Sequence, residues 1–317
     1  MFSLGSIASG AEVVLRAQSA LPRHHDLVKS YLDLFVKRLN AEGKGVIQVK
    51  YVGGPEVTPA RKAASALKRG VFDMLHSPAA YYAGITPQSL ALMATNRTPA
   101  EVRANGGFDI IAKVWKKKLN AKIIAWGESG AQFHLYLKKK PPINSKGHLD
   151  LTGFKMRYTG AYKALLRNLG AATVQMPVSD VYTALQRGVV DGFGWPTVGL
   201  GALGLAKAVK YRIDPPFYHL ANLVLVNLDK WNSLSSQARA ILTRVGLEYE
   251  TASIARMKQA GRDDGALVMK AGVEVIRLSG PAADHYLKAA FDGMWERIGS
   301  RLSKQETATL RAKMLRE

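Results

Sequence analysis

The chain has 317 residues, a formal net charge of +21, 47% hydrophobic residues and no cysteine. This length and apolar content predict a large buried core and favour two lobes over a single domain. The lack of cysteine excludes disulfide scaffolds, thiolate metal sites and cysteine nucleophiles, and no stretch approaches the roughly 18 consecutive apolar residues of a membrane-spanning helix.

The positive charge is scattered along the chain, with short lysine runs at 116–118 and 138–140. No predicted helix is basic along one face with aromatic residues interleaved, and no nucleic-acid-binding motif is found, so we expect no nucleic-acid partner. The charge is typical of a solvated surface. Attraction of anionic ligands or of a membrane surface is the alternative interpretation.

The first quarter of the chain predicts strands and helices in the order βαβαβ. The expected strands are 11–19, 45–52 and 71–75, and the expected helices are 25–43 and 59–70. Gly70 is a typical helix stop in front of the third strand. This order favours a parallel sheet with helices on its faces.

The same order recurs from Gly153, with strands in "GFKMRY" and "AATVQM" and a helix in "AYKALLRNLG". The stretches "ALKRGVFD" (66–73) and "ALQRGVVD" (184–191) share six residues at identical spacing. Asp73 and Asp191 end these stretches, where we expect them to cap a turn. The repeat predicts two similar α/β lobes with a cleft between them.

The last third of the chain differs from the repeat. Residues 221–231 predict a strand and a turn, and residues 233–272 keep apolar residues at helical spacing without a proline. This stretch predicts one helix of 30 or more residues, or two in line, that braces both lobes. A short strand and a helix that opens near Pro281 follow.

Catalytic and metal-binding motifs are missing or incomplete. No histidine and carboxylate cluster occurs at ligand spacing, so we expect no metal and no cofactor. Gly127-Glu128-Ser129-Gly130 approaches the G-x-S-x-G nucleophile elbow, but Ala131 replaces its last glycine. The residues that follow, 131–137, alternate in side-chain type as in a strand, whereas the elbow requires a helix. A serine hydrolase that uses Ser129 is therefore an alternative hypothesis.

Arg157 lies next to the carboxyl end of the strand "FKMRY". Ligands of open α/β sheets bind at that end of the strands, and a guanidinium offers two parallel donors to a carboxylate. Arg157 is thus a candidate for binding an organic anion. A surface arginine paired with a local acid is the alternative.

The run "HLDLTGFKMRYTGAYKALLRNLGAATVQMPVSDVYTALQRGVVDGFGWP" resembles the signature of the extracytoplasmic solute receptors of TRAP transporters. Three further stretches fit the same family, and the resemblance extends over nearly the whole chain from about residue 12. They are "GVFDMLHSPAAYYAGITP", "KKKPPINSKGHLDLTG" and "LVLVNLDKWNSLSSQARAIL".

The resemblance implies a bilobal α/β fold of the periplasmic-binding-protein type, with crossing strands and a long bracing helix. Lobe I is expected to comprise 12–133 plus 222–261, and lobe II 134–221 plus 262–317. Such receptors deliver a carboxylated ligand to a membrane permease and are periplasmic. The N-terminus "MFSLGSIASGAE" lacks the basic start and full apolar run of a signal peptide, which suggests that a signal peptide has been removed.

By position, the family's carboxylate-binding arginine corresponds to Arg157. Two residues depart from the usual pattern, because Trp195 stands where asparagine is common and His134 stands where many members have a second arginine. Pro196 restricts Trp195 to extended conformations, so we expect a rigid aromatic platform against the ligand. A core tryptophan that seals the hinge is the alternative.

Further candidate ligand contacts lie at the ends of predicted strands, where packing or capping is the alternative role. They are Ser19, His76, Ser77, Tyr81, Tyr82, Phe217 and Tyr218. Trp195 provides apolar surface, and His134 is mostly neutral at pH 7. We therefore predict a monocarboxylate with an aromatic or apolar body, ahead of a C4-dicarboxylate or a sugar acid. An effector-sensing domain of a signalling system is a further alternative to transport.

Overall fold

A computed structural model of the chain describes residues 11–158, 161–176, 178–201 and 203–316, apart from the side chains of Val178 and Ser179. Residues 1–10, most of the N-terminal stretch "MFSLGSIASGAE", lie outside the described residues. The strands are, in chain order, β1 (Val13–Ser19), β2 (Ile47–Gly53), β3 (Met74–Pro78), β4 (Ala121–Gly127), β5 (Gln132–Leu137), β6 (Lys155–Tyr158), β7 (Ala172–Gln175), β8 (Gly192–Pro196), β9 (Tyr211–His219), β10 (Asn222–Asn227) and β11 (Glu274–Arg277).

Helices cover the faces of the sheets. They are α1 (Asp26–Ser30), α2 (Lys37–Glu42), α3 (Ala63–Lys68), α4 (Pro99–Ala104), α5 (Gly107–Leu119), α6 (Lys163–Asn168), α7 (Val178–Gln186), α8 (Leu228–Ser233), α9 (Ser236–Lys270), α10 (Gly280–Gly299) and α11 (Lys304–Met314). A π-helical segment, Tyr31–Val36, joins α1 to α2, so residues 26–42 form the one helix that the sequence predicts.

The strands form two sheets, with orders β2-β1-β3-β10-β4 and β11-β9-β5-β8-β6-β7. In the first sheet β2, β1 and β3 are parallel and β10 is antiparallel to both its neighbours. In the second sheet β7, β6 and β8 are parallel, and β5 is antiparallel to β8 and β9. The predicted bilobal α/β fold is confirmed.

The chain passes between the two sheets three times: through two short crossings, from β4 to β5 and from β9 to β10, and through α8 and α9, from β10 to β11. Hydrogen bonds join the two crossings: the backbone N–H of Leu220 donates to Ala131 O at 2.9 Å, and His219 Nδ1 lies 3.0 Å from Ser129 O. The two crossings therefore form one paired connection between the lobes.

Helix α9 runs for 35 residues without interruption, which corresponds to about 52 Å. Near its middle, Glu250 accepts a hydrogen bond from the backbone N–H of Trp126 in β4 at 2.6 Å. Further along, the Asp264 carboxylate accepts from the backbone N–H groups of Leu200 and Gly201, beyond β8, at 3.1 and 2.9 Å. The helix thus contacts both lobes, as expected of a bracing helix.

The sequence repeat corresponds to a repeated hydrogen-bond pattern. The Asp73 carboxylate accepts from the backbone N–H of Arg16 in β1 at 2.8 Å, and the Asp191 carboxylate accepts from that of Lys155 in β6 at 2.8 Å. Each aspartate also donates its own N–H to the carbonyl of the same partner. Each aspartate therefore holds the backbone of a neighbouring strand, Asp73 in the middle of β1 and Asp191 at the start of β6.

The division of the chain into lobes remains a prediction. The first crossing occupies 128–131, so the predicted boundary after residue 133 falls inside β5, which begins at Gln132. The C-terminal helix α11 was expected in the second lobe, but its end is hydrogen-bonded to residues expected in the first. Thr95 Oγ1 donates to Met314 O at 2.5 Å, and Asn105 Nδ2 donates to Lys313 O at 2.7 Å.

We predict that Asp73→Ala and Asp191→Ala each lower the free energy of unfolding by about 1–2 kcal/mol, because each substitution leaves a strand N–H without its acceptor. Denaturant titration followed by circular dichroism measures the change. Asp284→Ala, at an exposed position of α10, is the matched control and should change stability by less than about 0.5 kcal/mol. Equal losses in all three variants would contradict the capping role.

Candidate ligand-binding site

Arg157 lies at the carboxyl end of β6 in the interior of the second sheet, beside Phe193 of β8. Its side chain is 2% exposed. Its Nε donates to Met176 O at 3.2 Å, and a terminal nitrogen donates to Tyr162 Oη at 3.1 Å. Tyr162 in turn donates to Gly194 O at 2.8 Å, so backbone groups fix the orientation of the guanidinium.

Gly194 makes this arrangement possible. A Cβ atom at residue 194 would lie 2.8 Å from the ring of Tyr162, which is too close for a side chain to fit. Glycine at this position therefore allows Tyr162 to approach β8 and to support Arg157.

Among the described residues, no carboxylate lies within ion-pair distance of Arg157. A buried guanidinium without a counter-charge is costly, because the burial removes its hydration and neutral hydrogen-bond acceptors replace only part of it. The arrangement is suited to an anion that enters from the cleft, and a carboxylate can accept two parallel hydrogen bonds from a guanidinium.

Tyr81 of the first lobe lies within electrostatic range of Arg157. It lies in a short 3₁₀ turn, Ala79–Tyr82, directly after β3, and the guanidinium of Arg61 lies 5.3 Å from its ring centroid. Burial raises the pKa of Tyr81, whereas the positive charges of Arg61 and Arg157 lower it. The charge of Arg157 thus acts on a residue of the opposite lobe.

Trp195 lies in β8, opposite His134 of β5. Its ring belongs to an apolar cluster with Val181, Leu185 and Leu200, and its Nε1 donates to Val198 O at 3.1 Å. These contacts hold the ring rigidly. They also fit the alternative of a core tryptophan, and the platform role stays a prediction.

His134 is engaged within the protein. Its Nδ1 lies 3.0 Å from both Ile213 O and the Asp214 carboxylate, and Arg212 donates two hydrogen bonds to the same carboxylate at 2.9 and 3.0 Å. Burial raises the pKa of Asp214, but the hydrogen bonds from His134 and Arg212 outweigh it, so the pKa lies below its ordinary value. His134 therefore has a carboxylate partner of its own.

The candidates Ser19 and His76 belong to a buried polar cluster in the first lobe. His76 Nδ1 lies 3.5 Å from Ser19 Oγ and His76 Nε2 lies 3.3 Å from the Glu128 carboxylate. Tyr249 of α9 donates to the same carboxylate, and the ring of Tyr31 stacks on His76 with centroids 4.6 Å apart. We call Ser19, His76, Glu128 and Tyr249 the hinge cluster, because Glu128 begins the first crossing.

Two positions in the first crossing show how closely the hinge is fitted to α9. Glu128 adopts a φ of +61°, which costs a residue other than glycine about 1–2 kcal/mol, and its backbone N–H donates to Ser253 Oγ at 3.0 Å. A Cβ atom on Gly130 would lie 2.3 Å from Ile254 O. The crossing thus lies directly on the helix backbone.

The remaining candidates are packed inside the lobes. Ser77 Oγ lies 2.9 Å from Tyr82 Oη, which donates to Ala60 O at 2.8 Å. Phe217 is 1% exposed and lies among other aromatic rings, and Tyr218 donates to Ala290 O. These contacts are typical of packing, and the ligand-contact roles of these residues stay predictions.

A model of the family described as "Bacterial extracellular solute-binding protein, family 7" matches residues 18–301. The chain belongs to this family. The resemblance to the solute receptors of TRAP transporters is thereby confirmed.

Individual relatives of this solute-binding family are distant in sequence. A monocarboxylate 2-oxoacid-binding periplasmic protein of Nostoc sp. is 25% identical over 270 residues, which cover 81% of this chain and 71% of the relative. A 2,3-diketo-L-gulonate-binding periplasmic protein of Escherichia coli is 24% identical over 286 residues, which cover 87% of this chain and 83% of the relative.

Solved structures of TRAP periplasmic solute-binding proteins share the fold. One from Desulfovibrio salexigens, with bound orotic acid, has a TM-score of 0.78 at 20% identity, covering 94% of this chain and 96% of that chain. One from a marine metagenome, specific for aromatic acid ligands and in complex with metahydroxyphenylacetate, has a TM-score of 0.75 at 22% identity, covering 95% and 97%.

The surroundings of Ser129 in this family 7 protein lack the order of a nucleophile elbow. Strand β5 follows it where a helix would be needed, and the contact from His219 goes to the Ser129 carbonyl oxygen.

Within the described residues, no group of three or more histidine, aspartate or glutamate side chains is placed to bind a metal ion. None of the described helices has the length and apolarity to span a bilayer.

Two partners of candidate site residues, and one buried amide without a partner, were missed by the sequence reasoning. Tyr162 supports Arg157, Asp214 engages His134, and Asn222 is fully buried at the start of β10 with no partner for either amide atom among the described residues. The position of Asn222 just before an apolar strand was visible in the sequence. Its isolation from other polar groups was not, because that depends on which residues surround it.

We predict that Glu128→Ala lowers the free energy of unfolding by about 3 kcal/mol, because the substitution leaves His76 and Tyr249 buried without their shared partner. Thermal and denaturant unfolding measure the loss. The control is Glu296→Ala, at an exposed position of α10, which should be nearly neutral. A loss below about 1 kcal/mol in Glu128→Ala would show that the hinge cluster contributes little to stability.

Proposed function

We propose that this protein is the periplasmic receptor of a TRAP transporter, which captures a small organic acid between its lobes and delivers it to a membrane permease. The observation that carries the proposal is the buried guanidinium of Arg157, which has no carboxylate partner among the described residues. Membership of a solute-binding family supports it. The periplasmic location is supported by the names of the relatives from Nostoc sp. and Escherichia coli.

The protein is proposed to bind its ligand without chemical change. Arg157 lies between backbone and tyrosine oxygens and not beside a nucleophile or a general base. Ser129, the only catalytic alternative raised by the sequence, is followed by a strand, and no histidine among the described residues is hydrogen-bonded to its hydroxyl. Binding through one fixed cation is sufficient for a receptor.

A monocarboxylate with an aromatic or apolar body is the proposed ligand. A second carboxylate would need a second cation, and His134 is already engaged by Asp214. Trp195 and its apolar cluster lie along the strand beside β6, which favours a ligand with apolar surface. The Nostoc relative that binds monocarboxylate 2-oxoacids and the metagenome protein that binds aromatic acids support this class.

Arg157→Ala should weaken carboxylate binding about 100-fold or more, because a ligand carboxylate would lose its charged hydrogen-bond donor. Isothermal calorimetry measures the dissociation constant, and circular dichroism checks the fold. Arg157→Lys should recover only part of the affinity, since an ammonium cannot form the two-pronged contact. Arg167→Ala, on the exposed side of α6, is the control and should bind as the wild type does. An unchanged dissociation constant in a folded Arg157→Ala protein would refute the assignment.

The ligand class is tested separately with a panel of acids. Calorimetry should rank aromatic monocarboxylates such as phenylacetate above succinate and galacturonate, because one guanidinium and an apolar wall match one carboxylate and an apolar body. Tightest binding of succinate or galacturonate would overturn the proposed class while leaving the receptor function in place.

A further inference from the structure

Gln18 of the first lobe occupies the position that Arg157 occupies in the second. Asp73 caps the strand of Gln18 at Arg16, and Asp191 caps the strand of Arg157 at Lys155. Gln18 and Arg157 each lie two positions after the residue that the aspartate holds. Gln18 pairs with Leu75 and Arg157 with Phe193, the second residue after the capping aspartate in both lobes.

The side chains make equivalent hydrogen bonds. Gln18 Nε2 donates to Thr58 O at 2.8 Å, and Arg157 Nε donates to Met176 O at 3.2 Å. Thr58 and Met176 hold corresponding places, because each lies eight residues before the Ala-Leu pair that begins the repeated stretch. The capping aspartate, the strand register and the carbonyl acceptor therefore all identify Gln18 as the counterpart of Arg157.

The other end of the Gln18 amide has no partner. Gln18 is 0% exposed, and its Oε1 makes no hydrogen bond within the described part of the chain. The contact with Thr58 O fixes the amide orientation, since a carbonyl oxygen can only accept. Oε1 must then point away from that carbonyl.

Two neighbouring serines at this edge have partners, whereas neither amide atom of Asn222 on β10 has one among the described residues. Ser19 lies next to His76, and Ser77 contacts Tyr82. Buried acceptors without a partner are uncommon in native proteins, where ordered water or a ligand usually satisfies them. A donor group of a bound molecule would satisfy the open acceptor of Gln18.

We infer that Gln18 is a ligand-binding residue of the first lobe, and that its Oε1 accepts a hydrogen bond from a hydroxyl or N–H group of the bound acid. This inference rests on the proposed function, because it assumes that the cleft holds a carboxylate at Arg157. Equivalent positions in two lobes that close on each other lie on opposite walls of the cleft. Arg157 then selects the carboxylate, and Gln18 selects an acid that also carries a donor.

The test compares two pairs of acids that differ by one hydroxyl group, mandelate with phenylacetate and lactate with propionate. Wild-type protein should bind the hydroxylated member of at least one pair about tenfold more tightly, as expected for one hydrogen bond to a buried acceptor. Gln18→Met removes the amide but keeps the length of the side chain. It should bring that ratio to about one, mainly by weakening the hydroxylated acid.

Gln48→Met is the matched control. Gln48 lies on the adjacent strand β2 and likewise donates from Nε2 to a backbone carbonyl, that of Asn40, at 3.1 Å. Gln48→Met should leave the ratio of the two affinities, for the acid with the hydroxyl group and for the acid without it, as in the wild type. Gln18→Glu is a second variant that keeps the size of the side chain and places a negative charge opposite Arg157, so it should weaken both members of each pair at least about tenfold.

A wild-type protein without preference for the hydroxylated acids would overturn the inference. So would an unchanged ratio in Gln18→Met, an equal effect of Gln48→Met, or wild-type affinity in Gln18→Glu. Loss of all binding in Arg157→Ala together with unaffected Gln18 variants would leave the proposed function in place and refute the role of Gln18 alone. Failure of the wild-type protein to bind any carboxylate would refute both.

Discussion

The structure depends on the attachment of the two chain crossings to the long helix α9. Glu128 begins the first crossing in a left-handed conformation, and its carboxylate is shared by His76 and Tyr249. Gly130 allows the crossing to touch the backbone of the helix. Because the second crossing is hydrogen-bonded to the first, this attachment holds both short crossings to the helix, which also contacts the second lobe through Asp264. Movement of one lobe against the other must therefore be accommodated around these residues.

The hinge cluster and the ligand site divide the buried polar residues between two roles. His76 and Ser19 lie at strand ends and make contacts with Glu128 and with each other, and their predicted ligand contacts stay a prediction. Arg157 and Gln18 also lie at strand ends, yet their hydrogen bonds leave charge or acceptor capacity unused. A buried polar group that is already satisfied stabilises the fold, whereas one that is not satisfied is available to a ligand.

The internal repeat gives the two lobes the same framework and different chemistry. Both lobes use an aspartate after the repeated helix and glycine to hold the backbone of a neighbouring parallel strand, β1 in the first lobe and β6 in the second. Gly70 and Gly188 have φ values of +73° and +71°, a conformation that favours glycine. On this common framework the second lobe carries a cation and the first a neutral amide. A receptor built in this way can recognise the two ends of an asymmetric acid.

The order of strands and helices, the repeat, the long helix and the position of Arg157 at a strand end could all be predicted from the sequence alone. These features depend on periodicity, glycine stops and local motifs, which act over a few residues. Only the tertiary structure decided which polar side chains are satisfied. His134 meets Asp214, Tyr162 supports Arg157 through the backbone of β8, and the C-terminal residues pack near Thr95. Partners that are distant in the chain are brought together by sheet order and by the crossings between the lobes, and a local pattern contains no information about either.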